Sequence, residues 1–237
     1  RHVIALALAS MLAACGGGGG GSDGAEAPAV PLEAPPQRTA YAVDDFVVGG
    51  SVRILRLSDN ALLHQTVSGE MGRIGWPAGL SGAVRIEVTG GNEDIDGLNA
   101  TTEDRKPFGG KLSTLVDIGN VSAPLVLSAM STALVDASGN DLAAFNGSAA
   151  ALPAELRQLL DLNGVTFESA QMRQRLQALS MLTRTVGFDS TRAALAEAPN
   201  SANFEAVRQL AAQVGSTAPI GRITDLALRN CVAEALA

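Results

Sequence analysis

Val84-Arg85-Ile86-Glu87-Val88-Thr89-Gly90-Gly91 is the stretch that decides the fold. Successive side chains of an extended chain point to opposite faces. Val84, Ile86 and Val88 therefore share one face, and Arg85, Glu87 and Thr89 share the other. The alternation predicts a half-buried strand ended by a glycine turn. Working outward, "GGSVRILRLSDN" (49–60) and "ALLHQTVSGE" (61–70) read as two strands joined at Ser58-Asp59-Asn60, residue types that favour tight turns. "GRIGWPAGL" (72–80) is a shorter strand broken by Pro77, and "KLSTLVDI" (111–118) is the last strand expected. Short strands at such spacing predict an antiparallel β-sandwich over residues 41–118.

Beyond it the period becomes helical. In "SAPLVLSAMSTALVDASG" (122–139), Ser122 is the expected N-cap, Pro124 lies near the first turn and Gly139 falls past the end. Further helices are expected at 152–162 with Gly164 beyond, 168–186 closed by Gly187, 190–198 stopped by Pro199, and 202–214 closed by Gly215. In the longest, Met172, Leu176, Leu179 and Leu182 form a stripe, with Arg173, Gln174, Arg175 and Gln177 mostly off it. Short connections favour antiparallel neighbours, hence a small bundle over 120–237. The expected class is α+β multidomain: an Ig- or transthyretin-like sandwich followed by helices.

The order "VDDFVVGGSVRIL…LLHQTVSGEMGRIGWPAGLSGAVRIEVTGG" resembles the carboxypeptidase-regulatory or transthyretin-like module of bacterial surface proteins. That resemblance covers about a third of the chain and implies a non-catalytic stalk or binding platform. The final stretch, "GRITDLALRNCVAEALA" (221–237), faintly resembles the helical cap that precedes leucine-rich repeats, with Ile223, Asp225 and Leu228 matching its opening. It implies that repeats follow in a longer parent chain.

At the other end, Leu12-Ala13-Ala14-Cys15 closes the apolar run "VIALALASML". Small residues and a cysteine after a short apolar segment resemble the lipobox of bacterial lipoproteins. The resemblance implies a signal peptide over 1–14, cleavage before Cys15, a thioether to diacylglycerol on its sulfur and an N-acyl chain. The apolar run of about ten residues is half of the ~20 that span a bilayer, so it is not read as a membrane span. Arg1, with His2 beside it, supplies what is present of the basic n-region. Gly16 after the cysteine resembles lipoproteins sorted to an outer membrane. "GGGGGGSDG" (16–24) disfavours regular structure through glycine's entropy cost, and the prolines of "APAVPLEAPPQ" (27–37) favour extended backbone. Residues 15–40 are thus expected to be a tether.

Hydrophobic residues make up 46% of the chain but aromatics only 3%, so the core must be aliphatic. The formal charge is −7, and removal of residues 1–14, which contain Arg1 and no acid, leaves −8. Such an acidic body argues against nucleic acid as a partner, because phosphates need a basic patch. The partners expected are the membrane, through the anchor, and an unknown protein or glycan. With Cys15 acylated, Cys231 has no intramolecular disulfide partner, and is read as a buried helix thiol.

Motifs of catalysis fit poorly. Gly20-Gly21-Ser22-Asp23-Gly24 matches G-x-S-x-G, but within a spacer rather than at a strained strand-to-helix turn. "FGGKLST" (108–114) suggests a phosphate loop, yet Leu112 stands where a Mg²⁺-binding hydroxyl is needed. "GGNEDIDG" (90–97) packs Asn92, Glu93, Asp94 and Asp96 together. Asn92, Asp94 and Asp96 are the candidate ligands for Ca²⁺, although the order departs from an EF-hand loop and a solvated turn is the competing reading. His64 is the sole histidine after the signal and is expected at an edge or facing outward; Trp76 and Tyr41 are expected as packing anchors. No catalytic residue is assigned, and no cofactor beyond the acyl groups and Ca²⁺. The expectation is a non-enzymatic, lipid-anchored display or binding protein of a bacterial envelope. The alternatives are an exported enzyme, or accessory subunit, with an acidic site, and a periplasmic chaperone-like helper.

Overall fold

The computed structural model describes residues 38–94, 105–162 and 170–216. Ten strands form two sheets: β1 (Arg38–Val43), β2 (Phe46–Val48), β3 (Ser51–Arg56), β4 (Leu62–Val67), β5 (Arg73–Trp76), β6 (Ala83–Thr89), β7 (Asn92–Asp94), β8 (Lys106–Pro107), β9 (Lys111–Asp117) and β10 (Leu125–Ser128). Six helices follow: α1 (Ala129–Ser138), α2 (Leu142–Ala151), α3 (Ala154–Leu160), α4 (Ala170–Val186), α5 (Phe188–Ala196) and α6 (Ala202–Ser216). This is an α+β mixture of sandwich-like sheets and helices.

The smaller sheet has the order β4-β3-β6-β9 and is antiparallel throughout. Its centre is the pairing of Val52 with Val88 and of Ile54 with Ile86. Val84, Ile86 and Val88 are fully buried, as their alternation predicts. Each such side chain contributes about 1.5–3 kcal/mol through burial. The larger sheet runs β10-β1-β2-β7-β8, with β5 also paired to β1. One pair in it, β1 with β10, is parallel.

Strand β1 explains how the layers stack. Ala40 and Ala42 face the inter-sheet core with Ile54, Ile74, Trp76 and Ile86. Tyr41 and Val43 face the other way, into a cluster with Leu156, Leu176, Leu179, Leu182, Val207 and Leu210. Helices α3, α4 and α6 thus cover the outer face of the larger sheet, and β1 is buried on both sides. A third cluster joins Leu115 of β9 to Leu134 and Val135 of α1 and Phe145 of α2.

Several expectations change. Arg38–Ala40, assigned to the tether, open β1. Ser122 is not an N-cap: the segment first forms β10, and α1 begins after Ser128, whose hydroxyl accepts from the Ser131 N–H while Ser131 reaches back to the Ser128 N–H. That reciprocal capping box sets the N-cap six residues later than Ser122. Gly139 does close α1, at φ +60°. Helix α2 was not anticipated, and Gly215 falls within α6 rather than after it. The division into a sandwich and a separate helical region does not appear in the packing. Strand β10 comes from the second segment yet pairs with β1 of the first, and the described residues fall in one compact unit.

Candidate functional site

The lipobox residues Leu12, Ala13, Ala14 and Cys15 lie outside the described residues, as do Asp96, Ile223, Asp225, Leu228 and Cys231. Asn92 and Asp94 do not sit in an open turn. They belong to β7, paired on one side with β2 through Phe46↔Asp94 and Val48↔Asn92, and on the other with β8 through Asn92↔Pro107. The Asp94 carboxylate is buried and meets the Arg105 guanidinium at 3.4 Å. Among the described residues no group of three or more His, Cys, Asp or Glu side chains is arranged to hold a metal ion.

The glycines of "FGGKLST" do not form a phosphate loop. Phe108 is buried edge-to-face against Phe188, with ring centroids 6.1 Å apart. Lys111 opens β9 and lies 3.6 Å from the Glu87 carboxylate. His64 is half-buried in β4, the outermost strand of the smaller sheet. Tyr41 and Trp76 are 2% and 1% exposed, which makes them the anchors expected of them.

Two features were not anticipated. The first is the turn Asp44-Asp45 between β1 and β2, where both carboxylates are buried. Asp45 adopts φ +43°, and its Oδ1 accepts a 2.7 Å hydrogen bond from the Ser180 hydroxyl of α4. Burial, reinforced by the negative charges of Glu93, Asp45 and Asp189, raises the Asp44 pKa to about 7. The doublet of acids between apolar runs in "YAVDDFVV" marks the turn in sequence. The groups that bury it arrive from α4, α5 and β7, which no local pattern announces.

The second is a pocket of about 370 Å³ where the two sheets part. Thr114, Leu115 and Val116 of β9 and Leu125 and Val126 of β10 form its floor; α1, α2 and α3 form its walls. A second hollow, of about 460 Å³, lies between α1 and α5 and is lined mainly by alanines with Asp136, Asp189 and Arg192. The Arg192 guanidinium there pairs with Asp136 and stacks 5.6 Å over the Phe188 ring. Neither cavity is lined by Asp44, Asp45 or Glu93.

No family model, curated protein or solved structure matches this chain.

Proposed function

We propose that the chain is a non-enzymatic binding or display protein of a bacterial envelope, held to the membrane, most simply the outer membrane, by acyl chains on Cys15. The observation that carries this reading is Leu12-Ala13-Ala14-Cys15 at the end of an apolar run, followed at once by six glycines. Two acyl signals are needed for stable anchoring, because each buried CH₂ contributes only about 0.8 kcal/mol. Twenty-two residues, 16–37, separate Cys15 from the first described strand, and their glycine- and proline-rich composition suits a spacer. The resemblance of the 43–91 region to a carboxypeptidase-regulatory or transthyretin-like platform fits a body that presents a surface. The two sandwich-like sheets are compatible with such a platform.

The test is the chain expressed with its own N-terminus in a Gram-negative host. Mass spectrometry of the mature N-terminus should show a diacylated, N-acylated cysteine, and globomycin should block its processing. Cys15→Ser should release the protein from carbonate-washed envelopes. If the serine variant stays with the washed envelopes, the anchor reading fails.

A further inference from the structure

We propose that the pocket between α1, α2 and α3 binds a small amphipathic carboxylate of the medium-chain fatty acid type. Its chain would lie among Leu115, Leu134, Phe145 and Leu160, with its head on Arg157. The location follows from topology. Strands β9 and β10 are the terminal strands of their sheets, so the floor is a seam where neither strand has a further neighbour. Protein interiors pack densely, yet α2 brings mostly small side chains to this seam. Phe145 is the buried residue of α2, while Ala149 and Ala150 line the cavity without filling it. A space of about 370 Å³ remains, at the small end of the range for ligand pockets, about 300–1,000 Å³.

The rim carries the charge. Arg56, Arg85, Arg105, Arg192 and Arg208 each meet a carboxylate. Arg157 instead gives one hydrogen bond, from Nη1 to the Ala150 carbonyl at 3.1 Å, and has no carboxylate partner among the described residues. That bond fixes the guanidinium at the mouth while leaving N–H groups for a planar two-oxygen acceptor. Asp161 shares the rim, and its backbone carbonyl accepts from Arg175. One carboxylate beside the single guanidinium that lines the pocket favours a singly charged head over a phosphate. An apolar floor with the Arg157 guanidinium at its edge selects an anion with a hydrocarbon tail.

The probe is decanoate, titrated into the full chain by calorimetry with melting temperature as a second readout. Saturable binding is expected, with each methylene from hexanoate to decanoate tightening it about fourfold. Arg157→Gln should weaken decanoate at least tenfold while leaving the weaker binding of decanol unchanged. Ala150→Trp, an exposed position that narrows the mouth, should abolish both. Cys15→Ser should alter neither, since this pocket does not depend on the anchor. The proposal is overturned by no decanoate binding up to about 1 mM, by equal affinity for decanol and decanoate, or by full binding in both pocket variants.

Discussion

The Ser180 hydroxyl donates a 2.7 Å hydrogen bond to Oδ1 of Asp45, joining residues 135 positions apart in the chain. Ser180 is 2% exposed and Asp45 8%, so the bond lies away from solvent. It fastens helix α4 to the turn that reverses β1 into β2, a turn that needs Asp45 at positive φ. Hydrogen bonds to charged groups contribute about 1.5–3 kcal/mol net. Ser180→Ala should therefore lower the unfolding free energy in urea by about that amount with an unchanged denaturant slope. A loss below about 0.5 kcal/mol, the size of an ordinary surface substitution, would show that the bond contributes little.

Its neighbour Asp44 gives stability a pH dependence of definite sign. The folded pKa is raised from 3.8 to about 7, chiefly by burial and then by Glu93, Asp45 and Asp189. Between those values the native state holds a proton that the unfolded chain has released. Its contribution is thus fully present below the unfolded pKa and is lost as pH rises through about 7. Three pKa units correspond to on the order of 4 kcal/mol. Asp44→Asn, which keeps the shape and removes the charge, should raise stability at pH 8 and change it little near pH 4. Equal melting shifts at both pH values would refute this assignment.

How far the fold was legible depends on period. Strands β5 and β6 could be read because one face of each is buried and the other is not; Val84, Ile86 and Val88 against Arg85 and Glu87 is the clearest instance. Leu125-Val126-Leu127 could not. Val126 turns into the helix-side core while Leu125 and Leu127 turn into the inter-sheet core. A continuous apolar run of that kind fits a buried strand and a helix equally. The Ser128–Ser131 capping box was present in sequence but was overshadowed by Ser122 and Pro124. Helix α2 was missed because "LAAFNGSAAA" has no apolar stripe. It rests instead on alanine propensity and on Asp141, whose carboxylate accepts from the Ala144 N–H at 2.7 Å. The same lack of large side chains hid the pocket, since a cavity is made by what a helix fails to fill. Asn92 and Asp94 were read as part of a turn because acids follow one another there, whereas both belong to β7, paired with β2 and β8, and Asp94 meets Arg105.

The exposed edge of β9 is closed by α1 rather than by charge. The Ser113 N–H donates to Thr132 Oγ1 at 2.9 Å, and the Ser131 hydroxyl donates to the Ser113 carbonyl at 2.7 Å. Both backbone polar groups of an edge residue are satisfied by the first turn of a helix, which removes them as a template for another strand. Thr132→Val keeps the volume and removes the acceptor. It should cost about 1–3 kcal/mol, the penalty for a buried donor left unmade, and speed amide exchange at Ser113 more than at neighbouring β9 positions. Uniform exchange along β9 would mean that the helix, not this hydroxyl, guards the edge.

Adjacent glycines after β6 separate backbone strain from crowding. Gly90 has φ +63° with open space where a Cβ would go. Gly91 has φ +84°, and a Cβ there would meet the Gly50 nitrogen at 2.5 Å and the Val48 carbonyl oxygen at 2.7 Å. Gly90→Ala should cost only the left-handed backbone penalty, about 1–2 kcal/mol. Gly91→Ala adds a collision with backbone that has no free direction to move. The Val48↔Asn92 pairing holds one side, and the Phe108 N–H donates to the Gly91 carbonyl at 3.0 Å. The loss should reach several kcal/mol, in the range reserved for steric failure in a core. Chemical denaturation of the two variants measures both terms, and a Gly91→Ala protein as stable as Gly90→Ala would show that β2 and β7 do not meet as closely as this geometry requires.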